Sequence, residues 1–260
     1  MDLTVAGVPV ATYNSGAELH TTLSPRPYLH PVRTLSGTVV TDALPEDHRW
    51  HLGVSIGVQD VNGANLWGGR TYVRDRGYTW LDDHGAIRHV RWRERTPSRL
   101  DEDLAWLGPD GAVLAHERRE QSARPIAGGW ALDVTVTLAA DGVRLGSPAT
   151  NGRARAGYGG FFWRLPLPDG PSTVFTEHGV GEEQVHYTRS PWLAYHGGSP
   201  SHPFTVVLTA SVDDPWFVRQ AGYPGLGSAL AAESPVLVDG ELRRSFTARV
   251  YDGHLAANEW

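Results

Sequence analysis

The stretch PEDHRWHLG, residues 45–53, sets His48 and His51 three apart beside Asp47. Imidazole changes charge near neutrality, so such a pair can exchange protons with a substrate, ligate a metal, or simply close a loop with hydrogen bonds. On a strand, side chains three apart point to opposite faces. Both histidines reach one site only from a loop or turn, and Pro45 with Glu46 favours one. A metal would need a third ligand, from His30 in YLHP, His178 in TEHG or a carboxylate. No spacing here matches a metal-binding motif, and the site is read without a metal or cofactor.

A second constellation is GYGGFFWRLP, residues 157–166, where three glycines surround Tyr158 and an apolar run drives into Arg164. An arginine in such a run is costly to bury unless it meets a carboxylate or a polar ligand. Shortly after, FTEHGVGEE places Glu177 and His178 at a strand end. Ten Trp and nine Tyr are many for this length, and Trp50, Trp67, Trp163, Trp192 and Trp216 sit beside Gly, Pro or charged and polar residues. Aromatic faces of this kind suit the C–H faces of sugar rings; the same rings also fill the space between sheets. The candidates are therefore His48, His51 and Glu177 for acid–base chemistry. Arg26, His30, Asp60, Trp67, Tyr158, Arg164 and His178 are the candidates for binding a small-molecule carbohydrate.

Composition removes other chemistries. There is no Cys, and all 23 basic residues are Arg. That excludes thiolate ligands, a cysteine nucleophile, Schiff-base lysines and the P-loop lysine. No G-x-S-x-G elbow or G-x-G-x-x-G turn occurs, and HGGS at 196–199 has no nucleophile to serve. A net charge of −6 gives no reason to expect nucleic acid. The N-terminal stretch has no basic, apolar leader, and no run approaches the ~20 apolar residues of a membrane helix. A cytoplasmic protein away from membranes is expected, and a homo-oligomer is compatible with the chain.

The elements that must position these residues read as strands. Short alternating or β-branched runs recur between evenly scattered Gly and Pro, the pattern of a many-stranded antiparallel sandwich. ALDVTVTL, residues 131–138, alternates almost perfectly, and the Asp239-Gly240 pair in LVDGEL suits a type I′ hairpin turn. Leu100 to Trp106 and YPGLGSALAAE are the best short-helix candidates. The basic stretch 87–99 reads as a solvated strand face paired with acidic neighbours. No repeat or linker interrupts the pattern, so residues 1–260 are expected to form a single β-sandwich domain.

Over most of its length the chain resembles a bacterial family labelled "methane oxygenase PmoA". The resemblance lies in RPYLHPVRTLSGTVVTD (26–42), PEDHRWHLG (45–53), DVNGANLWGG (60–69), AGYGGFFWR (156–164) and DDPWFVRQAGYP (213–224). Family members carry D-H-P-H-H-x-G where this chain has Arg49 and Trp50, so His48 and His51 match and the middle histidine does not. The label denotes an integral membrane subunit, which this chain has no segment to be. What the resemblance implies is a supersandwich similar to galactose mutarotase, in families that accompany sugar chemistry. The expected function is a carbohydrate-active enzyme of isomerase, epimerase or lyase type acting on a sugar or keto-sugar. A non-catalytic sugar-binding or assembly module is the alternative, and a histidine-ligated metal oxidase the third reading.

Overall fold

In the computed structural model, which describes residues 1–260, alternation along the strands sorts the chain into two facing antiparallel sheets. The first strands are β1 (Asp2–Val5), β2 (Val8–Asn14), β3 (Tyr28–Val32), β4 (Val54–Gly57), β5 (Asp60–Val61), β6 (Thr71–Val73), β7 (Gly77–Thr79), β8 (Ala86–Arg95), β9 (Arg99–Leu107) and β10 (Val113–Ile126). They continue as β11 (Gly129–Gly146), β12 (Gly160–Arg164), β13 (Thr173–Thr176), β14 (Gly179–Val180), β15 (Leu193–Ser199), β16 (His202–Ala210), β17 (Trp216–Arg219), β18 (Gly225–Ser228) and β19 (Val236–Asp252). One short α-helix, α1 (Glu182–Val185), precedes β15. The smaller sheet runs β1-β2-β3-β4-β12-β18-β17, and the larger β14-β13-β15-β16-β19-β11-β10-β9-β8, with β5 joined to β11. Strands β6 and β7 form a separate hairpin.

The period of two decides what each side chain does. On β12, Phe161 and Trp163 enter the main core of 43 buried residues, while Phe162 between them joins a second cluster with Trp67 and Phe217. Strand β17 repeats the pattern, with Trp216 and Val218 in the main core and Phe217 on the other side. Phe161 stacks across the core on Phe246 of β19, with ring centroids 4.7 Å apart. Thus the smaller sheet has an apolar inner face and, at the β12–β18–β17 end, an aromatic outer one.

Two expected helices do not form. Leu100 to Trp106 lies in β9, paired on both sides by β8 and β10, which satisfies a backbone that a single helical turn could not. The 223–233 stretch supplies β18 and the turns after it. The hairpin expected at Asp239-Gly240 is also absent. That pair lies inside β19, where the register with β11 passes from Ala140↔Gly240 to Val143↔Val238. Gly240 (φ +95) and Gly142 (φ +67) take left-handed conformations there, making an irregularity within a long ladder instead of a chain reversal. The basic stretch on β8 does meet acids: Arg91 and Arg93 each donate through Nε to Asp103 at 2.6 Å. No helix is long and apolar enough to cross a membrane.

Candidate functional site

Outside the aromatic face of the smaller sheet lies a cavity of about 520 Å³, lined by both aromatic and titratable side chains. Phe162 and Phe217 form its floor, and the loops around residues 47–51, 67–70 and 153–158 form its walls. Residues 45–51 make consecutive turns: the His48 amide donates to Pro45 O (3.1 Å) and the His51 amide to His48 O (2.8 Å). The Leu44 amide closes the loop on His51 O at 2.9 Å. Turn geometry is what brings two histidines three apart to one side, with ring centroids 4.9 Å from each other.

The two imidazoles have different surroundings. His51 is only 5% exposed, packed against Phe162 (5.2 Å) and Trp67 (5.9 Å). Burial, then the charges of Arg164, His48 and Arg26, hold it well below the usual histidine range, so it is neutral at pH 7. Its Nδ1 is buried without a partner, and Nε2 makes no hydrogen bond within the chain. His48 is more open, and its Nδ1 lies 3.0 Å from Asp47 Oδ2, at an angle that leaves no directed hydrogen bond in this arrangement. The contact with His48 holds the Asp47 carboxyl below its ordinary range. Tyr223 covers His48 with ring centroids 4.5 Å apart.

The wall opposite is phenolic. Tyr158 accepts from Gln59 Nε2 at 2.8 Å and lies 3.0 Å from the Tyr78 hydroxyl. Burial raises Tyr158 well above the normal phenol range, so it remains a neutral donor. Trp67 packs on Tyr158 at 4.9 Å and is held by a loop knotted around Asn65, whose Oδ1 accepts from the Trp67 and Gly68 amides (2.9 and 2.8 Å).

Of the residues chosen from sequence, His48, His51, Trp67 and Tyr158 line this cavity. Arg26 and Arg164 are buried behind it. Arg26 is fully buried and donates to the carbonyls of Leu23, Ser24, Trp50 and Trp67, tying the 44–51 and 65–70 loops together. Burial lowers its pKa to about 9. Arg164 donates to Pro224 O at 3.1 Å, with Nε 3.6 Å from Asp42. The other four lie outside the lining. Glu177 and His178 form a half-exposed pair, 3.5 Å apart, on the β13–β14 turn of the larger sheet. Asp60 is engaged by Arg144 (2.6 Å), Asn151 and the Gly63 amide, and His30 by Thr41 at 3.0 Å. The carboxylate at the cavity is Asp47, which adjacency to His48 makes visible in the sequence. Trp163 and Trp216 are core residues whose indole N–H groups donate to Val40 O and Ser190 O. Trp192 packs elsewhere, against Phe175 and Trp260. No group of three or more His, Asp or Glu side chains is placed to hold a metal ion.

No curated protein matches the chain in sequence. Among solved structures, a candidate aldose 1-epimerase from Escherichia coli K12 is 10% identical, with 96% of this chain and 98% of that one covered and a TM-score of 0.49. A galactose mutarotase related enzyme from Lactobacillus acidophilus is 8% identical, with 98% and 100% covered and a TM-score of 0.47. Galactose 1-epimerase from Lactobacillus acidophilus NCFM is 9% identical, with 88% and 91% covered and a TM-score of 0.39. Overlaps this loose transfer no residue role. The sequence profile that does match runs over residues 1–260 and names no oxygenase: the chain belongs to the family described as a family of unknown function, DUF6807.

Proposed function

We propose that the cavity binds a sugar or keto-sugar and that its histidines exchange protons with it, in an isomerase, epimerase or lyase reaction. The observation that carries this reading is a buried, neutral His51, with no partner for its ring nitrogens, set beside a His48–Asp47 pair on an aromatic floor. An unpartnered polar group in such a place costs free energy unless a ligand completes it. In this reading Asp47, 3.0 Å from Nδ1, orients the imidazole of His48, whose Nε2 gives a proton to a sugar oxygen or takes one from a hydroxyl or acidic C–H. Neutral His51 hydrogen-bonds a hydroxyl or carbonyl oxygen, and Trp67 with Phe162 packs the apolar face of the ring. A proton given and a proton taken balance within one turnover, so the scheme calls for no cofactor.

The test is a thermal-shift panel of sugars, uronates and keto-sugars, with NMR of each stabilising compound to detect anomerisation, epimerisation or elimination. A ligand at about one hundred times its dissociation constant adds about 2.7 kcal/mol to the folded state, a visible melting shift. Trp67→Ala and His51→Ala are expected to lose the shift. His48→Gln is expected to keep it while slowing conversion by about 100-fold or more. If sugars bind and none is converted, the cavity belongs to a non-catalytic sugar-binding module. If no sugar shifts the wild type, the carbohydrate reading falls.

A further inference from the structure

We propose that the ligand of this cavity is anionic, a sugar bearing a carboxylate or phosphate, and that Arg70 and Arg153 hold the charged group. The proposal rests on the reading of the cavity as a sugar site and names the class of sugar.

Charge is distributed unevenly in this molecule. The whole chain carries −6, yet three guanidiniums, of Arg70, Arg153 and Arg219, line the cavity against one carboxylate, that of Asp47. Asp47 lies 3.0 Å from His48 Nδ1, and Arg219 is paired with Glu182 at 3.2 Å. Arg70 and Arg153 have no acid partner. Each instead lies over a ring of the hairpin region, Arg70 over Trp80 at 5.9 Å and Arg153 over Tyr78 at 4.6 Å. Such stacking orients the guanidinium and leaves its N–H edges free for an oxyanion, which a planar fork can grip at two oxygens.

Two buried cations add to the field. Arg26 has only carbonyl acceptors around it, and Arg164 has one carboxylate, Asp42, at 3.6 Å. Behind a low-dielectric aromatic floor these charges act on the cavity with little screening. Burial is the largest cause of the depressed pKa of His51, and the charges of Arg164 and Arg26 act in the same direction.

Ring contacts link both guanidiniums to the imidazoles: Arg70 lies over Trp80, which reaches His48 through Trp50 (6.4 and 5.1 Å), and Arg153 is reached from His51 along the lining. From His51 it passes to Trp67 (5.9 Å), then Tyr158 (4.9 Å), then through the phenol pair (3.0 Å) to Tyr78 and Arg153 (4.6 Å). Trp67, Tyr158 and Tyr78 are the side chains along this run of contacts from His51 to Arg153. A sugar anchored there by its anionic group lies across Trp67 and presents its other end to His48 and His51.

Calorimetric titration of the full chain with D-glucose, D-glucuronate, D-galactose, D-galacturonate and D-glucose 6-phosphate tests this, with acetate and inorganic phosphate as sugar-free anions. The acidic sugars are expected to bind roughly tenfold or more tightly than their neutral parents. In Arg70→Gln/Arg153→Gln that gap closes while the neutral parents keep their affinity to within about twofold, and in Arg243→Gln, an exposed arginine of β19 outside the lining, it persists. The uronate and phosphate arms tell which anion is preferred. Neutral sugars binding as tightly as acidic ones, or a gap that survives the double substitution, overturns the proposal and leaves the sugar site standing. Acetate or phosphate binding as tightly as the acidic sugars, or no sugar binding at all, overturns the sugar reading and this proposal with it.

Discussion

His186 packs behind the cavity wall against Phe217, ring centroids 5.3 Å apart, with both ring nitrogens committed. Nε2–H donates to Arg155 O at 3.0 Å, and Nδ1 accepts from the Val218 amide at 3.2 Å. Protonation would put a second donor against the Val218 N–H, and burial lowers the pKa from 6.5 to about 4. Between those values the unfolded chain binds a proton that the folded chain refuses. The contribution of His186 is therefore fully present above pH 6.5 and is lost as pH falls towards 4, up to about 3 kcal/mol at 1.4 kcal/mol per unit. His51, shifted the same way, adds to the loss. Urea unfolding at pH 7.5 and pH 4.5 checks this: wild type is expected to weaken on acidification, and His186→Asn, which keeps an acceptor for the Val218 amide, to weaken less. Parallel losses in the two proteins would rule His186 out as the cause. Unlike His186, His48 and His51 stand out in the sequence because Pro45 and Glu46 mark a turn. Nothing in YTRS around it distinguishes His186, whose role depends on partners 31 and 32 residues away.

At the scale of elements, the cavity is made by loops laid over an aromatic sheet face, and their close approach depends on small residues. Gly69 has φ +71, and a Cβ there would lie 2.5 Å from the indole of Trp50. Gly69→Ala is expected to displace Trp50, shift its fluorescence and reduce ligand affinity by about tenfold, at a stability cost of about 1–3 kcal/mol from the strained backbone. Unchanged fluorescence and affinity would show that the loop relaxes freely. Arg26 is the corresponding polar tie. Arg26→Leu strands the carbonyls of Trp50 and Trp67 and is expected to cost about 2–4 kcal/mol in urea unfolding, with ligand affinity lost alongside. A loss below about 1 kcal/mol would mean that water replaces the guanidinium at both carbonyls. The strands themselves were legible: from Leu132 to Leu138 burial alternates along β11 as the sequence alternates. The misread segments are those where pairing outweighs local chemistry, β9 between two neighbours and Asp239-Gly240 inside the long β11–β19 ladder. In the same way Asp60, Glu177 and His178 carry suitable chemistry, yet the topology assigns them to an ion pair and to the other sheet.

Across the whole molecule several ladders, the long β11–β19 one among them, join strands distant in sequence. Gly129 pairs with Tyr251, Phe162 with Gly227 and Tyr28 with Ser55. Contacts of this range must close long loops before they return any stabilisation, so refolding after denaturant dilution is expected on a timescale of milliseconds to seconds or slower. Stopped-flow tryptophan fluorescence finding complete refolding within microseconds to about 1 ms would contradict that. Strand β8 closes one side of the larger sheet; past Ile87, whose amide donates to Pro25 O, no further strand covers its edge, and Val90 is exposed. Arg91 and Arg93 share the single carboxylate of Asp103, which leaves this rim positively charged. A second copy approaching rim to rim would meet like charge before any backbone bond could form. The arginines on β8 thus act as a colloidal safeguard, and Arg91→Val/Arg93→Val is expected to scatter light and bind an amyloid dye under conditions where the parent chain stays clear.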